Sequence, residues 1–167
     1  MRDRIRFTAM LLAVLAVGRT AVQAQWVQTD GPCGGRVTTF AVSGNTLFAG
    51  SYGGGIFLSS DHGASWTAVN TGLNNKLVNV LAVIGTRLFA GTVGGLYVSQ
   101  DGGASWAETS TGLTNKKIQT LVANGAYLFV GTNGGGVFVS TDNGASWTPA
   151  NTGLSSLYVY TLAVSGS

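Results

Sequence analysis

A chain of 167 residues with a single cysteine, Cys33, cannot be a miniprotein stapled by internal disulfides. Its formal charge of +3 and pI near 9.3 invite a nucleic-acid reading, but no basic stripe interleaved with aromatics is present. Only 9% of residues are charged and 26 are glycine, a composition that points to short strands and tight turns rather than helices.

The chain opens with a basic segment, MRDRIRF, followed by an apolar run from Phe7 to Val17 and the small-residue ending AVQA. That three-part layout reads as a secretory signal peptide over residues 1–24, cut after Ala24, and places the mature chain outside the cytoplasm, secreted or periplasmic. The apolar run is too short to span a membrane, which takes about 20 residues. The leader also carries the excess charge: four arginines stand there against one aspartate, whereas the remaining five basic and five acidic residues balance. No basic surface is left for nucleic acid.

Beyond the leader the chain repeats itself. Trp26, Trp66, Trp106 and Trp147 are spaced by 40, 40 and 41 residues, and four apolar frames recur between them. VTTFAVSG, VNVLAVIG, IQTLVANG and VYTLAVSG make the first; TLFAGS, RLFAGT and YLFVGT the second. GIFLSSD, GLYVSQD and GVFVSTD make the third, and SWTAVNTGL, SWAETSTGL and SWTPANTGL the fourth. Each frame is rich in Val, Leu, Phe and Thr and is bounded by Gly, Asn or Ser, so each unit reads as four β-strands. Val137 and Val139 alternate with Phe138 across the third strand, making both faces apolar. A sheet that is apolar on both faces must be covered on both, and four-stranded sheets at a period near 40 describe the blades of a β-propeller.

In chain order, residues 25–35 read as an orphan outer strand of a closing blade with its loop, 36–70 as blade 1, 77–110 as blade 2, and 117–151 as blade 3. Residues 157–167 read as the first strand of a fourth, truncated blade, whose partner strands are expected beyond Ser167. The fold class is all-β, an incomplete propeller of about three blades.

The stretches SSDHGASW (59–66), SQDGGASW (99–106) and STDNGASW (140–147) carry Ser-x-Asp-x-Gly-x-x-Trp. Three copies at blade spacing resemble the Asp-box, or BNR, repeat family of propellers, which includes sialidases, sortilin-like receptors, certain xyloglucanases and a photosystem assembly factor. The resemblance implies a hairpin between the third and fourth strands of each blade. Ser59, Asp61, Gly63 and Trp66, Ser99, Asp101, Gly103 and Trp106, and Ser140, Asp142, Gly144 and Trp147 are its structural residues. Each aspartate is expected to accept turn N–H groups, each glycine to adopt a conformation other residues resist, and each tryptophan to bury its ring beneath the turn and lock the hairpin to its blade. His62 occupies a variable place in the box and reads as a solvated turn residue.

The glycine clusters at 53–55, 94–95 and 134–136 lack the Lys-Ser/Thr and following helix of a phosphate loop, so tight turns explain them. Catalysis of the sialidase type needs three arginines, a tyrosine with a glutamate partner, and an aspartate. The mature chain has only Arg36 and Arg87 and one glutamate, Glu108. No catalytic residue, metal site or cofactor is therefore assigned. The loops after each Trp strand vary most, and with Tyr52, Val93 and Asn133 are expected on one face. Tyr52, Asn74, Asn75, Lys76, Asn115, Lys116, Lys117 and Asn133 are the candidate ligand-face residues there. The expected function is a secreted propeller module binding an unknown protein or glycan, or serving as a scaffold without catalysis. The alternative is a fragment of an Asp-box glycoside hydrolase whose catalytic residues lie elsewhere.

Overall fold

A computed structural model of the chain describes residues 31–32 and 34–165. The expected leader over 1–24, the strand QWVQTD, Cys33 and the last two residues lie outside the described residues. Among those described, twelve strands form three antiparallel four-stranded sheets and there is no helix. Blade 1 is β1 (Arg36–Ser43), β2 (Thr46–Tyr52), β3 (Gly55–Ser59) and β4 (Thr67–Ala68). Blade 2 is β5 (Val78–Ile84), β6 (Arg87–Thr92), β7 (Gly95–Ser99) and β8 (Ala107–Glu108). Blade 3 is β9 (Ile118–Asn124), β10 (Tyr127–Thr132), β11 (Gly136–Ser140) and β12 (Thr148–Pro149). Each sheet runs in simple sequence order, as the meander of a propeller blade does.

The fourth strands are shorter than the sequence frames suggest. Only two residues pair in each, followed by one further bond, from Val69 N to Ile56 O, Thr109 N to Leu96 O, or Ala150 N to Val137 O. After that bond the chain leaves the sheet to reach the next blade, so apolar content ran on while pairing stopped. Tyr158, just before the frame VYTLAVSG, bridges Asn133, and Val159 N donates to Thr132 O at 2.9 Å, but the frame forms no ladder among the described residues. A strand needs a neighbour to exchange hydrogen bonds with, and among the described residues no second strand pairs with it.

Packing between blades makes two apolar clusters. The first joins Phe48 and Ile56 of blade 1 and Leu73 of the linker to Val78, Leu81, Leu88, Tyr97 and Trp106 of blade 2. The second joins Phe89 and Leu96 of blade 2 to Ile118, Leu121, Leu128, Phe138 and Trp147 of blade 3. The glycine in the middle of each second strand permits this approach. A methyl group on Gly91 would sit 2.5 Å from Ile118 Cγ2 and 2.6 Å from Val80 Cγ1. Gly50 and Gly131 stand equally close to Val78 and Val159, so a residue without a side chain is what lets the next innermost strand in.

Interblade hydrogen bonds follow the same order. Thr38 Oγ1 donates to Val78 O at 2.6 Å, and Asn79 Nδ2 to Ile118 O at 2.7 Å.

Candidate functional site

The three Asp-boxes are superimposable in their bonding. Ser59 Oγ donates to Asp61 Oδ1 at 2.7 Å and accepts from Gly63 N at 2.8 Å, and the same pair of distances recurs from Ser99 and Ser140. Each aspartate accepts from the backbone N–H four residues on, Ser65, Ser105 or Ser146, at 2.9 Å, and from that residue's hydroxyl. These bonds, the serine hydroxyl first, hold all three carboxyls at a pKa of about 2. The turn takes the chain through two successive left-handed residues, His62 and Gly63 at φ of 59° and 89° and Asn143 and Gly144 at 58° and 86°. The variable place thus has a backbone requirement of its own, and His, Gly and Asn are residues that tolerate it.

Two of the tryptophans also reach beyond their own hairpins. Trp106 and Trp147 do not simply pin their own hairpins; they wedge against the preceding blade. Trp106 Nε1 donates to Val69 O at 2.8 Å, and its backbone N–H to Thr71 O at 2.9 Å. Trp147 repeats this on Thr109 O and Thr111 O, both at 2.9 Å. Both rings are buried, at 5% and 2% exposure. Trp66 is half-buried and meets Phe40, 62% exposed, with ring centroids 6.2 Å apart. An indole with one polar atom can seal an interface only where a carbonyl waits at the right depth, and the neighbouring blade supplies it.

The candidate ligand-face residues do gather at one end of the blades, where the glycine turns meet the linkers. Tyr52 bridges Leu77, and Gly53 and Gly55 donate to Lys76 O. Asn133 donates its N–H to Lys117 O at 2.9 Å and accepts from Asn115 Nδ2 at 3.1 Å. Asn75 and Asn115 each fold their side-chain oxygen onto the N–H two residues on, Leu77 or Lys117, which shapes the linker. Asn74, Lys76 and Lys117 are exposed. Lys116 binds Glu108 at 2.6 Å. The lysine's bond and charge draw the Glu108 carboxyl below its ordinary value, and the carboxylate raises the lysine in turn.

Two residues with a role escaped the sequence reading. Asn70 and Asn151, in the frames VNTGL and ANTGL, accept from Ile56 N and Val137 N at 2.7 Å and donate to Gly54 O and Gly135 O at 3.1 Å. Each ties the end of the fourth strand to the glycine turn of its own blade. The signal was the recurrence of Asn before Thr-Gly-Leu in two units of three.

A family model described as DUF6242 beta propeller domain matches residues 13–116, and one described as BNR/Asp-box repeat matches residues 138–149. No curated protein matches the chain by sequence. Among solved structures, an ancestral GH74 enzyme is 25% identical with a TM-score of 0.55, over 74% of this chain and 19% of the enzyme. The computationally designed Ika4 protein is 18% identical with a TM-score of 0.62, over 80% of this chain and 82% of that one. YCF48 from Cyanidioschyzon merolae is 17% identical with a TM-score of 0.54, over 67% of this chain and 36% of its own. The chain therefore spans about a fifth of the GH74 enzyme and about a third of YCF48.

Proposed function

Since the chain belongs to the family described as the DUF6242 beta propeller domain, we propose that it acts as an exported, non-catalytic propeller module. Its linker face would hold a protein or a glycan. The observation that carries this reading is the engagement of every described carboxylate. Asp61, Asp101 and Asp142 are each bonded within their own turn, and Glu108 is paired with Lys116. A carboxyl held at about pH 2 by its own hairpin is a poor proton donor near neutrality. Paired acids for glycoside cleavage need a common substrate site, and equivalent hairpins on successive blades do not share one. Export rests on the tripartite start, and the mature N-terminus would be Gln25.

A second reading is favoured by the 25% identity to a GH74 enzyme: the chain as part of an Asp-box glycoside hydrolase whose catalytic residues lie outside residues 31–165. Incubating the purified protein with a fluorogenic sialoside and with xyloglucan separates the two. Retarded migration in a xyloglucan gel, or capture of a defined protein partner, without release of fluorophore or reducing ends supports the binding module. Release of fluorophore or reducing ends above background, retained when Glu108 is changed to Gln, supports the hydrolase.

A further inference from the structure

In a repeat protein, symmetric positions build the scaffold, so a place where one unit departs from the others at several positions together marks a local use. Blade 2 has such a place. Tyr97 stands where blades 1 and 3 have Phe57 and Phe138; Glu108 stands where they have Ala68 and Pro149; Ser110 replaces Asn70 and Asn151. All three departures meet at the end of the fourth strand. Tyr97 is paired with Glu108 across the ladder. Ser110 Oγ takes over the bond from Leu96 N at 3.0 Å, but a serine carries no amide to reach the turn carbonyl, as Asn70 reaches Gly54 O and Asn151 reaches Gly135 O. Beside this serine lies a depression of about 320 Å³ lined by Glu108, Ser110, Thr111 and Lys116.

The ion pair at its rim does not explain these changes by stability. Glu108 and Lys116 have side chains 38% and 51% exposed, and exposed pairs contribute little. The pair does define a recognition chemistry. Its charges cancel, so a ligand with a net charge would meet attraction from one group and repulsion from the other. A neutral molecule with neighbouring hydroxyls can donate to the carboxylate while accepting from the ammonium. The volume falls at the lower end of small-ligand sites, which run from about 300 Å³ upward.

We propose that this depression on blade 2 is a binding site for a neutral, hydroxyl-bearing ligand the size of one sugar ring. This deepens the binding reading above and is tested apart from it. Saturation-transfer difference NMR on the intact protein would use glucose, galactose, mannose, xylose and cellobiose as neutral probes, with glucuronate and glucosamine as charged ones. At least one neutral sugar should give transfer, and both charged sugars should give less. The double change Glu108→Ala with Ser110→Asn restores the residues of blade 1, so it keeps the fold while removing the carboxylate and replacing the serine hydroxyl by an amide; it should weaken the bound sugar by about tenfold or more. Should that protein misfold, Lys116→Leu, which installs the residue of blade 3, gives the same reading. Asn45→Ala, in the exposed turn between β1 and β2, should change nothing. The proposal falls if no neutral sugar gives transfer, if a charged sugar binds more tightly, or if the blade-1-like and Lys116→Leu proteins bind as well as the parent. Glycan turnover would overturn the non-catalytic reading and leave this result standing.

Discussion

At the scale of single residues, the Asp-box works as a closed circuit of short bonds in which serine and aspartate have separate duties. Ser140 is buried, at 1% exposure, and its oxygen accepts from Gly144 N while donating to Asp142. Ser140→Ala strands that buried N–H and is expected to cost about 1–3 kcal/mol, read as a lower midpoint in urea unfolding. The aspartates are exposed, and their effect is visible through pH. An unfolded aspartate takes up its proton near pH 3.9, whereas each folded one does so at about 2. Because the folded pKa is depressed, the unfolded chain binds protons first. The contribution of the boxes is complete above about pH 4 and is lost as pH falls through about 2. Acid titration followed by tryptophan fluorescence should show stability declining across that window. Changing Asp61, Asp101 and Asp142 together to Asn should flatten the decline; an unchanged profile would assign the acid sensitivity to other groups.

At the scale of elements, blades adhere through one recurring device: a tryptophan inserted into the preceding blade and a glycine that lets the next strand approach. Removing the buried Trp147 ring, as Trp147→Ala, should cost about 3–5 kcal/mol. The half-buried Trp66 has less contact to lose, so Trp66→Ala should cost clearly less in the same denaturant series. Equal costs would mean that the ring acts within its own hairpin. Gly91→Ala places a methyl inside the van der Waals radius of Ile118, and overpacking of this kind costs about 1–3 kcal/mol. With Ile118 already changed to Ala, which removes the Cγ2 that the new methyl meets, Gly91→Ala should cost less than it does in the parent, which thermal melts of the single and double variants would show.

At the scale of the whole molecule, the apolar surfaces left at the two sides of the blade stack govern behaviour. Phe40 and Val42 on the first side, and Tyr127, Leu157, Tyr160 and Val164 on the other, are each between 40% and 69% exposed. Their counterparts inside the stack, Leu81 and Leu121 for Phe40, are 6% exposed. Large apolar side chains exposed together on a sheet face favour association. Residues 25–167 prepared alone should therefore sediment as concentration-dependent oligomers, and Phe40→Lys should shift them toward monomer. A compact, cooperatively unfolding monomer at all concentrations would contradict this.

The periodic tryptophans, the four apolar frames and the boxes were enough, by sequence alone, to settle the β-propeller class, because hairpin closure and strand alternation are local properties. Serine, aspartate, glycine and the second serine that bonds the aspartate sit within seven residues in each box, and their bonding stays within that span. What the tertiary structure decided is whatever reaches across blades or closes a unit on itself. The tryptophan partners lie 37 and 38 residues away, and the Asn70 and Asn151 bonds 14 to 16. The end of the fourth strands depends on where the chain must depart for its neighbour. The same holds for the depression on blade 2. Tyr97, Glu108 and Lys116 are scattered through an ordinary stretch of sequence, and only the pairing of β7 with β8 and the return of the linker bring them to one place.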